Sequence, residues 1–368
     1  MLWIIIFLVS MTVAVALFAY LVSRISKFNM MKSLLPKKKI WKILCSMGII
    51  LLPTALLSYL WSPTNGVVVL IHLGVIWLLC DLVGWMIQKK KPYHGKCYFA
   101  GVTALVTTFA VLSCGWYLAH HVWQTDYIVK TDKNVNGLRI VQFADSHVGT
   151  TFHADGFAKH MEAIQALQPD VVLITGDFVD DSTTREDMIA SCAALGTLHP
   201  TYGVYFSFGN HDKGYYGEAH RGYNAEDLID ELEKNGVHVL QDEVELIRDE
   251  YYIIGRQDYS EEQAGNGRKD MDALLQGLDP QKYMIVMDHQ PHDYENQQGK
   301  VDLVLSGHTH GGQFFPITYV GEWIGENDRT YGFEEREKSD FIVTSGISDW
   351  EIKFKTGCKS EYVVIDIE

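Results

Sequence analysis

Hydrophobic and polar positions divide the chain into two parts that follow different rules. Residues 2–23, 43–62, 66–88 and 98–120 are apolar runs of 20 to 23 residues, and only the third contains an acid, Asp81. A membrane-spanning helix needs roughly 20 apolar residues, so the pattern predicts four transmembrane helices. Trp3, Trp41, Trp61, Trp85 and Trp116 stand near the ends of these runs, where amphipathic aromatic rings anchor at the interface. The first run has no basic segment before it, and Arg24-Ile25-Ser26-Lys27 follows it in place of a small-residue cleavage site. It reads as a retained helix, not a cleaved leader.

After residue 137 the pattern shortens. Strands are predicted at 138–143, 171–175, 204–208, 252–254, 283–287, 301–305, 341–344 and 362–367, and helices at 153–167, 185–195, 225–234 and 270–278. Such alternation specifies an α/β layered fold. The polar stretch 123–137 reads as a linker. The expected organisation is therefore a membrane domain over 1–122, a linker over 123–137 and a second domain over 138–368.

Charge sharpens this division. The net charge of the chain is −15, but before residue 125 one acid faces eleven Lys and Arg, and after it 45 acids face 20. The loop from Arg24 to Lys42 holds seven basic residues, and Lys89, Lys90, Lys91 and Lys96 follow the third run, whereas Pro63-Thr64-Asn65 holds none. Basic loops stay cytoplasmic. This expectation places the protein in the cell membrane as a multi-pass protein, with its acidic domain on the extracytoplasmic face. A domain this acidic repels polyanions, which argues against nucleic acid as a partner. Cys45, Cys80 and Cys114 fall in apolar runs, Cys97 at the edge of one, and Cys192 and Cys358 in the acidic domain. Spacing leaves open whether the last two pair.

Five short motifs supply the chemistry: Asp145-Ser146-His147, Gly176-Asp177, Gly209-Asn210-His211-Asp212, Asp288-His289 and Gly307-His308-Thr309-His310. Each falls near the end of a predicted strand, where α/β folds gather functional groups. Carboxylate, amide and imidazole together suit manganese, iron or zinc, and a carboxylate shared between two cations is the arrangement of two-metal hydrolases. Residues 213–224, with three glycines and three tyrosines, read either as an aromatic loop over the site or as ordinary surface. Arg256 and Asp258 follow a strand and are further candidates to line the site, as His220 and Arg221 are to meet a phosphate.

These motifs, in this order over 138–368, resemble the calcineurin-like metallophosphoesterase superfamily. Gly307-His308-Thr309-His310-Gly311-Gly312-Gln313 after Asp288-His289-Gln290-Pro291 looks most like its bacterial membrane-associated branch. The resemblance implies an α/β fold: a metallophosphoesterase-type double β-sandwich flanked by helices, preceded by the four-helix transmembrane region. It assigns Asp145, His147 and His310 to one metal and Asn210, His289 and His308 to a second, with Asp177 shared. His211 is then a catalytic proton donor or charge stabiliser beside the leaving group, oriented by Asp212. Two positions depart from the pattern: Ala144 stands where Ser is common, and Asp288 where a small or apolar residue is usual. The implied cofactors are two divalent or trivalent metal ions. The implied activity is hydrolysis of phosphomono- or phosphodiesters by attack of metal-bound hydroxide, on an envelope or lipid-linked substrate. The alternative is a membrane sensor or transporter component whose metal domain only binds. Nothing in the sequence sets an oligomeric state.

Overall fold

The computed structural model describes residues 2–35, 39–91, 95 and 97–368, excepting the side chains of 2–7 and 10. Lys37, Lys38, Lys96 and the Trp3 side chain, which enter the topology and anchoring expectations, lie outside what is described. The chain forms two compact units, Met1–Gly115 and Trp116–Glu368.

In the first unit, helices Lys39–Leu60 and Pro63–Lys90 are long and apolar enough to cross a membrane, as is Phe99–His120, whose last turn belongs to the second unit. Those are three of the four expected spans. The first expected span is a helix over Leu2–Ile25, whose apolar stretch among the described residues is Met11–Ile25. The short connection before Pro63–Lys90 has a local cause. Ser62 Oγ accepts from Asn65 N, and Pro63 opens the helix, where its missing N–H costs nothing. Asp81 is fully engaged: Tyr20 Oη and Tyr98 Oη donate to it at 2.7 and 2.6 Å, and Arg24 Nε lies 2.9 Å away. Trp77 Nε1 donates in turn to Tyr98 Oη at 2.9 Å.

The second unit contains twelve strands in two six-stranded sheets. The first sheet runs β1 (Val122–Val129), β12 (Ser360–Ile367), β2 (Leu138–Phe143), β3 (Val171–Thr175), β4 (Val204–Ser207), β5 (Val237–Leu240). The second runs β10 (Gly332–Arg336), β11 (Ser339–Val343), β9 (Leu303–Ser306), β8 (Tyr283–Met287), β7 (Tyr251–Gly255), β6 (Glu243–Ile247). Strands β2 to β5 are mutually parallel, as are β7, β8, β9 and β11.

Period-2 alternation builds the layers. Ile140, Leu173, Tyr205 and Ile365 meet Ile253, Ile285, Leu305 and Ile342 of the facing sheet in one buried core. The intervening residues Val141, Val172, Ile174 and Phe206 face outward, against Phe157, Met188 and Leu228 on helices Ala154–Ala166, Arg185–Leu195 and Ala225–Lys234. Both faces are buried, which is why β3 reads Val-Val-Leu-Ile-Thr with no polar alternation. Each Val, Ile or Leu so buried contributes roughly 1.5–3 kcal/mol. On the far side Ile254, Val286 and Val304 pack on Met271 and Leu274. The result is a double β-sandwich flanked by helices.

The linker expected over 123–137 is not a linker in its first half. Residues 122–129 form β1, parallel to β12 in register from Val122 with Ser360 to Val129 with Ile367. Polar residues at 124–126 hide the strand in the sequence, because an edge strand need bury only one side.

Candidate metal centre

All five motifs open at the carboxyl ends of parallel strands. Asp145 and Asp177 lie two residues past β2 and β3, Asn210 three past β4, and His289 and His308 two past β8 and β9. One sheet brings Asp145, His147, Asp177 and Asn210; the other brings His289, His308 and His310. Gln142, buried in β2, fastens the seam between them. Its Nε2 donates to Thr175 Oγ1 at 2.9 Å in its own sheet and to Ser306 O at 3.1 Å in the other.

Ligand-type atoms converge in two groups, Asp145, His147 and His310, and Asp177, His289 and His308, each within 4.8 Å. Asp177 Oδ2 lies between them, 3.6 Å from His147 Nε2 and 3.2 Å from His289 Nε2. In Asn210, Nδ2 donates to Tyr215 Oη at 2.8 Å, while Oδ1 is buried with no hydrogen-bond partner. His289 Nδ1 is held by Thr175 O at 2.8 Å, which leaves its buried Nε2 without a hydrogen bond. His147 Nε2, 3.6 Å from Asp177 Oδ2, is likewise without one, while its Nδ1 faces Asp180. Buried polar atoms nearly always find partners, so orphaned ring nitrogens within these converging groups fit cations as the missing partners.

The backbone is bent to make this convergence. Asp145, His147, Asp177, His308 and His310 all have positive φ, between 36° and 69°, a region that residues other than glycine occupy at a cost. Glycines permit the close approach around them. A Cβ on Gly307 would stand 2.7 Å from Asp145 Oδ2, and one on Gly209 would collide with the Asp177 carboxylate.

Electrostatics point the same way. Burial holds His308 down at about 3 and His310 well below its usual range, so both present the neutral imidazole that ligates metals. Burial pushes the Asp145 carboxyl up to about 6. Cations favour the ionised carboxylate. His289 is raised well above its ordinary value, the Asp177 carboxylate beside it outweighing burial.

The sequence profile of the calcineurin-like phosphoesterase family matches residues 138–312. A metallophosphoesterase of Aquifex aeolicus is 33% identical over 60% of this chain and 81% of its own length. The chain belongs to the calcineurin-like phosphoesterase family. A metallophosphoesterase of Helicobacter pylori is 27% identical over 95% of this chain and 96% of its own. A transmembrane protein with metallophosphoesterase domain from Danio rerio is 32% identical over 64% of this chain. The match spans about half of that relative, 54%. The family is metal-dependent, and this member carries apolar helices that mark it as a membrane protein.

Within this phosphoesterase domain several residues do something other than the sequence suggested. The Asp212 carboxylate bonds to backbone amides rather than to the His211 ring. Its Oδ2 accepts from Asp177 N at 2.8 Å and Gly209 N at 2.7 Å, and its Oδ1 from Val179 N at 3.0 Å. It ties together the loops after β3 and β4. Burial, with the nearby Asp177 carboxylate, pushes it up to about 7. His211 N donates to Asp177 Oδ1 at 2.8 Å. Its ring stands 5.1 Å from that of His147, 5.0 Å from Tyr215 and 5.3 Å from Trp350.

Arg221 does not reach for a phosphate: it is buried and donates to Asp212 O at 2.8 Å. The loop it closes is fastened rather than loose, since Tyr215 N and Tyr216 N donate to the Asp181 carboxylate. Arg256 is also buried. Its Nη1 lies 2.8 Å from Asp288 Oδ2, and Arg268 Nη2 lies 2.6 Å from the same oxygen. That pair explains the unusual acid before His289. Asp258 caps helix Tyr259–Ala264 and receives Gln290 Nε2 at 2.9 Å.

Three supports carried no sequence signal. Asp180 Oδ2 stands 3.2 Å behind His147 Nδ1, the carboxylate–histidine arrangement that orients a ligand. Asp349 and Lys355, both fully buried, lie 3.4 Å apart, and Gln313 Nε2 donates to Asp349 Oδ1 at 3.2 Å. Cys358 Sγ donates to His310 O at 3.0 Å, while Cys192 lies in the helical core; both are free thiols.

Proposed function

We propose that this protein is a membrane-anchored phosphoesterase in which Asp145, His147, Asp177, Asn210, His289, His308 and His310 hold two metal ions with Asp177 shared. The observation that carries the reading is the position of Asp177 Oδ2 between His147 Nε2 and His289 Nε2, within a set of buried ligand atoms that lack partners. Bound cations supply Lewis-acid neutralisation of phosphate oxygens and activate water near neutral pH.

The protein's own groups do the rest. Asp180 and Thr175 O fix the His147 and His289 rings. Burial holds His211 below its ordinary value, so it meets substrate as a neutral ring. An arriving phosphate anion favours uptake of a proton from solvent to give the imidazolium, and that proton then passes to the leaving oxygen, returning the ring to neutral. An intact His211 beside the ligands favours catalysis over a purely binding role. Substrates are phosphomono- or phosphodiesters of the envelope or of lipids, reached on the extracytoplasmic face.

Full-length protein in detergent should bind two equivalents of manganese, iron or zinc and hydrolyse p-nitrophenyl phosphate or its bis ester. Absence of hydrolysis with every divalent metal tried would overturn the reading. For orientation, protease added to intact cells should cut the 116–368 unit; cleavage only after lysis would reverse the assignment.

A further inference from the structure

Directly after the His310 turn the phosphoesterase unit exposes a run of large apolar side chains. Phe315 is 73% and Trp323 72% exposed, and Ile317, Tyr319 and Ile324 also lie in solvent. Soluble surfaces seldom gather such groups without a partner. The run is pinned at its base. Gln313 Nε2 donates to Phe354 O at 2.7 Å, and Thr356 N and Gly357 N donate back to Gln313 O at 3.0 and 3.1 Å. A Cβ on Gly357 would stand 2.6 Å from Thr318 Oγ1 and 3.0 Å from Phe315 N, so the start of the run packs closely on 357.

The same 354–360 strip supports the end of an apolar helix. The Phe354 ring is 6.3 Å from Trp116, in the last turn of Phe99–His120, and Ser360 Oγ donates to Ala119 O at 2.8 Å. The exposed run and the exit of a helix long enough to span a bilayer therefore share one footing within this unit. Net charge does not draw the unit to an anionic membrane, because acids outnumber bases 45 to 20 after residue 125. Trp, Tyr, Phe and Ile entering the headgroup boundary can.

We propose that residues 315–324 insert into the interface of the bilayer that the helices cross, and that this brings lipid phosphoesters to the metal centre. The occupant is the lipid bilayer. The insertion stands by itself; the delivery of lipid phosphoesters rests on the phosphoesterase reading.

The test uses the full chain in phosphatidylcholine–phosphatidylglycerol vesicles containing a phospholipid with a diazirine in its acyl chain. Irradiation and peptide mass spectrometry should find adducts on 315–324 as well as on the apolar helices. The double variant Phe315→Asp, Trp323→Asp should lose the 315–324 adducts about tenfold, keep those on the helices, and hydrolyse soluble p-nitrophenyl phosphate at the wild-type rate. Its cleavage of vesicle-borne phosphoester should fall by a similar factor. Adducts confined to the helices, or chain-to-chain crosslinks through 315–324 in their place, would overturn the insertion. Adducts on 315–324 with no turnover of any phosphoester would support the insertion and sink the phosphoesterase reading.

Discussion

Two polar clusters invite comparison: the half-buried knot around Asp81 and the buried cluster around Asp177. Both put a carboxylate among aromatic and nitrogen-bearing side chains. At Asp81 the protein answers its own need, with two tyrosine hydroxyls and Arg24 on the carboxylate and Trp77 on one of the tyrosines. At Asp177 the protein supplies ligand atoms and leaves them unmatched, with His289 Nε2, His147 Nε2 and Asn210 Oδ1 buried and short of partners. Polarity alone does not distinguish a brace from a binding site. Whether the hydrogen-bonding capacity closes on itself does.

That contrast can be broken at graded depths. Asp177→Ala should strip metal and lower turnover about a thousandfold or more, since several kcal/mol of charge stabilisation leaves with the cations; elemental analysis and a steady-state assay report both. His211→Ala should lower turnover by roughly 10² to 10⁴ and leave metal content unchanged. Equal metal loss in these two variants would erase the division between ligand and proton donor. Asp180→Asn should weaken metal binding by about 10- to 100-fold, as outer partners of ligating histidines do, read by titration with a chelator.

Acid should act on the same cluster. With Asp145 pushed up to about 6, its protonation competes with metal as pH falls through that value, so metal affinity should begin to fall below about pH 6 and recover on neutralisation. Asp81→Asn should do least, leaving turnover unchanged and costing about 1 kcal/mol, typical of polar contacts between membrane helices, seen as a small fall in melting temperature in detergent. A large loss of activity there would make the Asp81 knot more than a brace.

Strands legible in the sequence were those whose burial is two-sided. β2, β3, β4, β7, β8, β9, β11 and β12 all carry dense apolar runs, and all lie inside the sheets. The four that went unread, β1, β5, β6 and β10, are the four edges. Glu-Val-Glu-Leu-Ile in β6 and Gly-Phe-Glu-Glu-Arg in β10 carry charge because an edge faces water and must resist pairing with another chain. The metal-site motifs were legible as chemistry, since Asp, His and Asn recur at short spacings. Their supports were not. Asp180 behind His147, and Asp349 with Lys355, meet through the fold across spacings that carry no pattern. Asp212 is adjacent in sequence to His211, but its carboxylate accepts from the backbone of Asp177, Val179 and Gly209, contacts that adjacency does not announce.

The left-handed backbone at Asp145, His147, Asp177, His308 and His310 reaches beyond geometry. Each such residue destabilises the folded chain by about 1 kcal/mol or more, at the five positions that cations would reward. Folding and metal loading then become two readings of one equilibrium: a ligand that binds only the folded state raises its stability with the logarithm of ligand concentration. The melting temperature of this phosphoesterase unit should therefore serve as a gauge of metal supply, rising with each increment of free metal until the centre saturates.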